Sequence, residues 1–130
     1  MRSWLSALLL LLFPPPLLLL ALQATAQEPR VRLLVQSSPL AGYRYGEGAE
    51  VWPLLREGDA LTLVPEPGNP HDPNAVRVEW RGRKLGYVPR RQNAALAWGL
   101  ARGTPLRARV SRLAEHPNPA RRIEFEVYIE

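Results

Sequence analysis

GNPHDPNAVRVEWRGRKLGYVPR, residues 68–90, is the stretch whose reading decides the fold. Its first part, Asn69-Pro70-His71-Asp72-Pro73-Asn74, holds two prolines that fix φ and several short polar side chains. Such a loop presents donors and acceptors with little entropy left to lose. Alternation follows: Val76, Val78 and Trp80 point one way, Arg77 and Glu79 the other. A period of two over residues 75–80 predicts a strand with one buried face. Arg81-Gly82 suits a tight hairpin turn into a second strand over residues 84–88.

Working outward, residues 31–36 read as a first strand and 37–50 as an irregular Gly- and Tyr-rich loop. Residues 51–55 suit a single helical turn. Gly58-Asp59 is a turn before a strand over 61–64. One helix is expected over 94–102, with Ala94, Ala97, Trp98 and Ala101 on its apolar face. Gly103 is a natural C-cap and Pro105 blocks continuation. Residues 106–113 and 123–129 form two last strands, joined by the turn-rich His116-Pro117-Asn118-Pro119. Trp52, Trp80 and Trp98 read as core or rim packing. Five or six short strands with one helix make a mainly β fold, a small OB-like barrel, because closure removes exposed sheet edges.

The start of the chain has a different character. Arg2 is followed by an almost wholly apolar run over 5–22, interrupted by Pro14, Pro15 and Pro16, and Ala24-Thr25-Ala26 precedes Gln27. This is the pattern of a cleaved export signal, residues 1–26, and the prolines argue against an unbroken spanning helix. It predicts a periplasmic or secreted location, unless translation starts internally and leaves the domain in the cytoplasm. Residues 27–130 then form one domain carrying 16 Lys+Arg and 12 Asp+Glu. Fifteen of those cations are Arg. The bias favours bidentate contacts to phosphate or carboxylate, and a GC-rich genome produces the same bias. The modest positive charge permits nucleic-acid binding without demanding it. With no cysteine, disulfides and thiolate zinc sites are excluded.

Four motifs occur in order: Gly42-Tyr43-Arg44-Tyr45, the Gly-Asp-x-Leu-x-Leu of residues 58–63, the Asn-Pro loop with its strand over 69–78, and Leu85-Gly86-Tyr87-Val88-Pro89. In this the chain resembles the HIRAN domain family over roughly residues 31–110. The resemblance implies an OB-like barrel and a pocket that holds the 3′ end of a single DNA strand. It places Arg44 and Tyr45 on the terminal nucleotide. Asn69, His71 and Asp72 approach the terminal sugar and its 3′-hydroxyl, and Tyr87 and Arg90 line the pocket. Two departures stand out: Gly46 replaces a frequent aromatic, and His71 stands where Tyr is common.

The residues themselves leave some roles open. Asp72 and Asn74 also suit local capping of the turn, and Tyr43 suits the core while Tyr45 and Tyr87 suit a stacking surface. Arg44, Arg81, Arg83, Lys84, Arg90 and Arg91 make either a basic rim or a solvated face. No serine or cysteine has an evident base partner and no phosphate-binding loop is present, so no enzyme activity is expected. His71, Asp72 and His116 are too scattered to argue for zinc, and neither metal nor cofactor is expected. With the resemblance, the expectation is a monomeric, non-catalytic binding module for single-stranded nucleic acid. The rival is an exported domain that binds an envelope protein, peptide or polymer.

Overall fold

The computed structural model describes residues 30–130. The export-signal expectation, residues 1–26, lies outside them. Six antiparallel strands form one sheet: β1 (Leu33–Pro39), β2 (Ala60–Pro65), β3 (Val76–Trp80), β4 (Arg83–Tyr87), β5 (Leu106–Leu113) and β6 (Ile123–Ile129). Their spatial order is β1-β6-β5-β2-β3-β4. Just past the end of β1, Ala41 pairs with Tyr87 of β4. The two residues exchange both backbone hydrogen bonds, at 2.9 and 2.8 Å. This bridge brings the first and last strands of the sheet together and gives the OB-like barrel expected from the sequence.

Gly86 is what permits the closure. A Cβ there would lie 2.2 Å from the Ala41 carbonyl oxygen, so only glycine lets the two backbones meet. The β3–β4 hairpin turns through Arg81 and Gly82, both at positive φ (48° and 79°), the conformation of a type I′ turn. Inside the barrel, Val76, Val78 and Trp80 pack with Leu61, Leu85, Phe125 and Val127. Val78 has no exposed surface. The Trp80 indole N–H donates to Asp59 at 3.1 Å, so burying the ring strands no polar group.

Two short α-helices accompany the sheet where one was expected, α1 (Gly48–Val51) and α2 (Ala94–Ala101). A 3-10 turn, Trp52–Leu54, continues α1 over the stretch read as a helical turn. The C-terminus of α2 is a Schellman cap: Thr104 N–H donates to Gly99 O at 2.9 Å and Gly103 N–H to Leu100 O at 3.1 Å.

The inward face of α2 is not the expected one. Leu96 and Gly99 are buried and Ala97 packs against the core as expected, while Ala94, Trp98 and Ala101 face solvent. Trp98 is 63% exposed and is no part of the core. Gly99 seats the helix against Leu106, whose Cδ1 a Cβ would approach to 3.2 Å. This contact, together with the burial of Leu96, sets the rotation of the helix and turns Trp98 outward. β1 also differs, running to Pro39 where 36 was expected, because its pairing with β6 extends to Pro39 opposite Glu124. Its apolar start, Leu33 to Val35, is exposed.

A candidate nucleic-acid interface at the barrel closure

The closing bridge leaves a cleft of about 610 Å³ beside it. Three segments meet there: the turn after β1, the loop between β2 and β3, and the end of β4 with the turn before α2. Six of the seven residues singled out from the sequence line this cleft: Tyr45, Asn69, His71, Asp72, Tyr87 and Arg90. Arg44 does not. It lines a neighbouring cleft of about 270 Å³ with Tyr43, Tyr45 and Asn118. Tyr43 itself is buried and meets Trp52 edge-on at 6.5 Å, whereas Tyr45 is 82% exposed.

The polar loop is built by its own side chains. Asn69 Oδ1 accepts from the backbone N–H of His71 at 2.8 Å and of Asp72 at 3.2 Å. Its Nδ2 donates to Glu66 at 3.0 Å. Both ends of Asn69 are therefore committed to folding the loop. Asp72 Oδ1 accepts from Asn74 N–H at 2.9 Å, and Oδ2 accepts from Asn93 Nδ2 at 2.7 Å. Arg90 Nε stands 3.8 Å from the same oxygen, and an Arg90 terminal nitrogen donates to the His71 carbonyl at 3.2 Å. The amide of Asn74, the side chain of Asn93 and the charge on Arg90 together outweigh burial and hold the Asp72 carboxyl below its ordinary value. It is a carboxylate at neutral pH with acceptor capacity to spare.

Two site residues carried no signal that pattern reading could use. Glu66 accepts from the Tyr87 phenol at 3.0 Å and is ion-paired with Arg77. Burial pushes the Glu66 carboxyl up, but hydrogen bonds from Asn69, Tyr87 and Arg77 outweigh it and the net shift is downward. Arg77 in turn is raised by hydrogen bonds to Glu79 and Glu66. Asn93 is buried at the entry to α2. Its spacing from Asp72 in sequence gave no hint of their contact.

The basic residues separate into distinct environments. Arg81 lies over the Trp80 ring and Arg83 is bound to Glu47 and Glu50, so neither faces the cleft. Lys84 lines the cleft and sits 4.5 Å over the Tyr87 ring. His116 belongs to another cleft, with Trp52 and Arg122, away from His71 and Asp72. At the position of the missing aromatic, a Cβ on Gly46 would sit 2.8 Å from the carbonyl oxygens of Lys84 and Leu85. The turn packs too closely on β4 to carry a side chain there.

Comparison with known proteins agrees with this architecture. The model of the HIRAN domain matches residues 33–130. The "Fanconi-associated nuclease 1 homolog" of Oryza sativa subsp. japonica is 35% identical over 68 residues. That match spans 49% of this chain but 7% of the rice protein. Among solved structures, a protein from Lactobacillus plantarum superposes with a TM-score of 0.65 at 28% identity. It covers 75% of this chain and 94% of its own. The HIRAN domain of human HLTF superposes with a TM-score of 0.54 at 20% identity, covering 75% of each chain, and is a likeness of fold.

Proposed function

The chain belongs to the HIRAN domain family, and from that membership and the cleft at the barrel closure we propose that it is a non-catalytic module holding the 3′ end of single-stranded nucleic acid. The observation that carries the reading is the convergence of Tyr45, Asn69, His71, Asp72, Tyr87 and Arg90 from three segments into one cleft. In this reading Asp72 accepts a hydrogen bond from the terminal 3′-hydroxyl. Its negative charge repels a 3′-phosphate, which is how the site tells the two ends apart. Asn69 is a positioning residue that shapes the loop around Asp72. Tyr45 offers the free ring for a base, worth roughly 1–3 kcal/mol per stacked base. Arg90 and Lys84 neutralise phosphate at the mouth, with Arg44 outside the cleft beyond Tyr45. Few cations are engaged, so the salt dependence is shallow. With two or three phosphates neutralised, log K falls with log salt at a slope of about −1.4 to −2.1.

Fluorescence anisotropy with matched oligonucleotides tests the reading. A 3′-hydroxyl strand is expected to bind more tightly than the same strand ending in 3′-phosphate. Asp72→Asn removes that preference, and Arg90→Ala weakens both strands alike. Absence of binding to any single strand at low salt overturns the proposal. The second reading, an envelope-interaction domain, is favoured by the leader pattern of Arg2, the apolar run and Ala24-Thr25-Ala26. Export of the protein is proposed on the same pattern. N-terminal sequencing of the cell-associated protein is expected to find Gln27 first, and a cytoplasmic product starting elsewhere overturns export.

A further inference from the structure

The exposed side of α2 is unusual for so short and apolar a helix. Leu96 and Gly99 are buried, yet Trp98 keeps 63% of its surface in solvent. The Arg102 guanidinium lies 3.4 Å over its ring. Arg102 covers one face of the ring, and exposed Ala94, Ala95 and Ala101 flank Trp98 without adding bulk beside the other. Exposed Arg90 and Arg91 stand in the turn before the helix. The helix starts at the cleft, because Arg90 and Asn93 line the cleft and Asn93 leads directly into α2.

We propose that the solvent face of α2 is a second nucleic-acid contact, along which the strand runs as it leaves the end-holding cleft. The inference deepens the end-binding reading and rests on it. A rise of 1.5 Å per residue sets Trp98 about 8 Å and Arg102 about 14 Å along the helix from Asn93. At about 3.4 Å per stacked nucleotide, those distances reach two to four nucleotides from the end. Trp98 supplies a stacking platform for one of those bases. Arg91 and Arg102 supply positive charge on either side of it, matched to the phosphates. The combination of aromatic ring and flanking cations suits a single strand of any sequence, since every base has a face to stack. Trp98 is a contact residue separate from the residues that sense the 3′-hydroxyl.

Strand length separates the two contacts. With 5′-fluorescein-labelled thymidylate dinucleotides and dodecamers, each with a free 3′-hydroxyl, the protein is expected to bind the dodecamer more tightly. Trp98→Ala weakens dodecamer binding roughly tenfold. It leaves dinucleotide binding, the hydroxyl preference and the melting temperature unchanged, and Trp98→Phe recovers most of the loss. Equal dodecamer affinity for Trp98→Ala and the parent overturns the proposal, as does an equal loss on both lengths. A length effect abolished by Arg44→Ala but not by Trp98→Ala also overturns it, because the strand then leaves by the neighbouring cleft. If Trp98→Ala weakens the dodecamer while the parent shows no preference for a 3′-hydroxyl, the helix contact stands and the end-holding reading falls. If the parent binds neither length, both fall.

Discussion

Asn93 Nδ2 donates to Asp72 Oδ2 at 2.7 Å, and this bond ties the entry of α2 to the polar loop that precedes β3. Asn93 is buried, so the bond is shielded from competing water. It fixes the direction in which Asp72 presents its remaining lone pairs. Asn93→Ala is therefore expected to weaken the preference for a 3′-hydroxyl more than it weakens overall binding. Asn93→Asp sets two carboxylates face to face, which raises the pKa of the pair. Its stability should rise as pH falls from 7 toward 5, where the parent is unchanged. Thermal melts across that range check the sign, and parallel curves for variant and parent contradict it.

Acid sensitivity follows from the same cleft. Glu66 and Asp72 both have carboxyls lowered in the folded protein. A lowered folded-state pKa contributes stability that is present above the unfolded value, about 4 for these side chains. That contribution is lost as pH falls through the folded values. The melting temperature should thus hold from neutral pH down to about 4.5 and then drop. Glu66→Gln keeps an acceptor for Tyr87 but gives up the charge facing Arg77. It should cost about 1 kcal/mol at neutral pH, or roughly 4–8 °C in Tm for a domain of this size. The variant should also show a shallower acid limb. An acid limb as steep as the parent's would show that Glu66 does not carry the dependence.

Much of the barrel was legible because its signals are local. The alternation of Val76, Val78 and Trp80 and the turn at Arg81-Gly82 identified the hairpin. The pair Gly103 and Pro105 marked the end of α2, where a Schellman cap now stands. What escaped was decided by distant partners. α2 reads Ala-Ala-Leu-Ala-Trp-Gly-Leu-Ala, apolar all round, so no polar stripe reveals which side faces the barrel. The contact between Gly99 and Leu106 decides it, and periodicity cannot see such a contact. Ser37 and Ser38 looked like loop, but β6 holds them in β1. In the cleft, the residues facing a ligand stood in recognisable motifs. Glu66 and Asn93, which brace those residues, look in sequence like turn and capping residues. Arg44 is set outside the cleft by the turn at residues 43–45, which buries Tyr43 and sends its neighbour elsewhere.

The Gly46 departure offers a test of backbone against composition. From sequence alone, restoring an aromatic at residue 46 should rebuild a stacking platform and strengthen binding. The structure argues the reverse. Glu47 N–H donates to Lys84 O at 2.7 Å, which draws the turn onto β4. A Cβ on Gly46 would meet the backbone oxygens of Lys84 and Leu85 at 2.8 Å, and backbone in a paired strand yields little. Relief requires the turn to lift, which would disturb Tyr45 and the nearby Ala41–Tyr87 closure. Gly46→Tyr is therefore expected to lower Tm, with overpacking typically costing about 1–3 kcal/mol, and to weaken rather than strengthen single-strand binding. Gly46→Ala should show most of the stability loss, because the first carbon makes the clash. A Gly46→Tyr variant with parental Tm and tighter binding would show that the turn stands clear of β4 in solution.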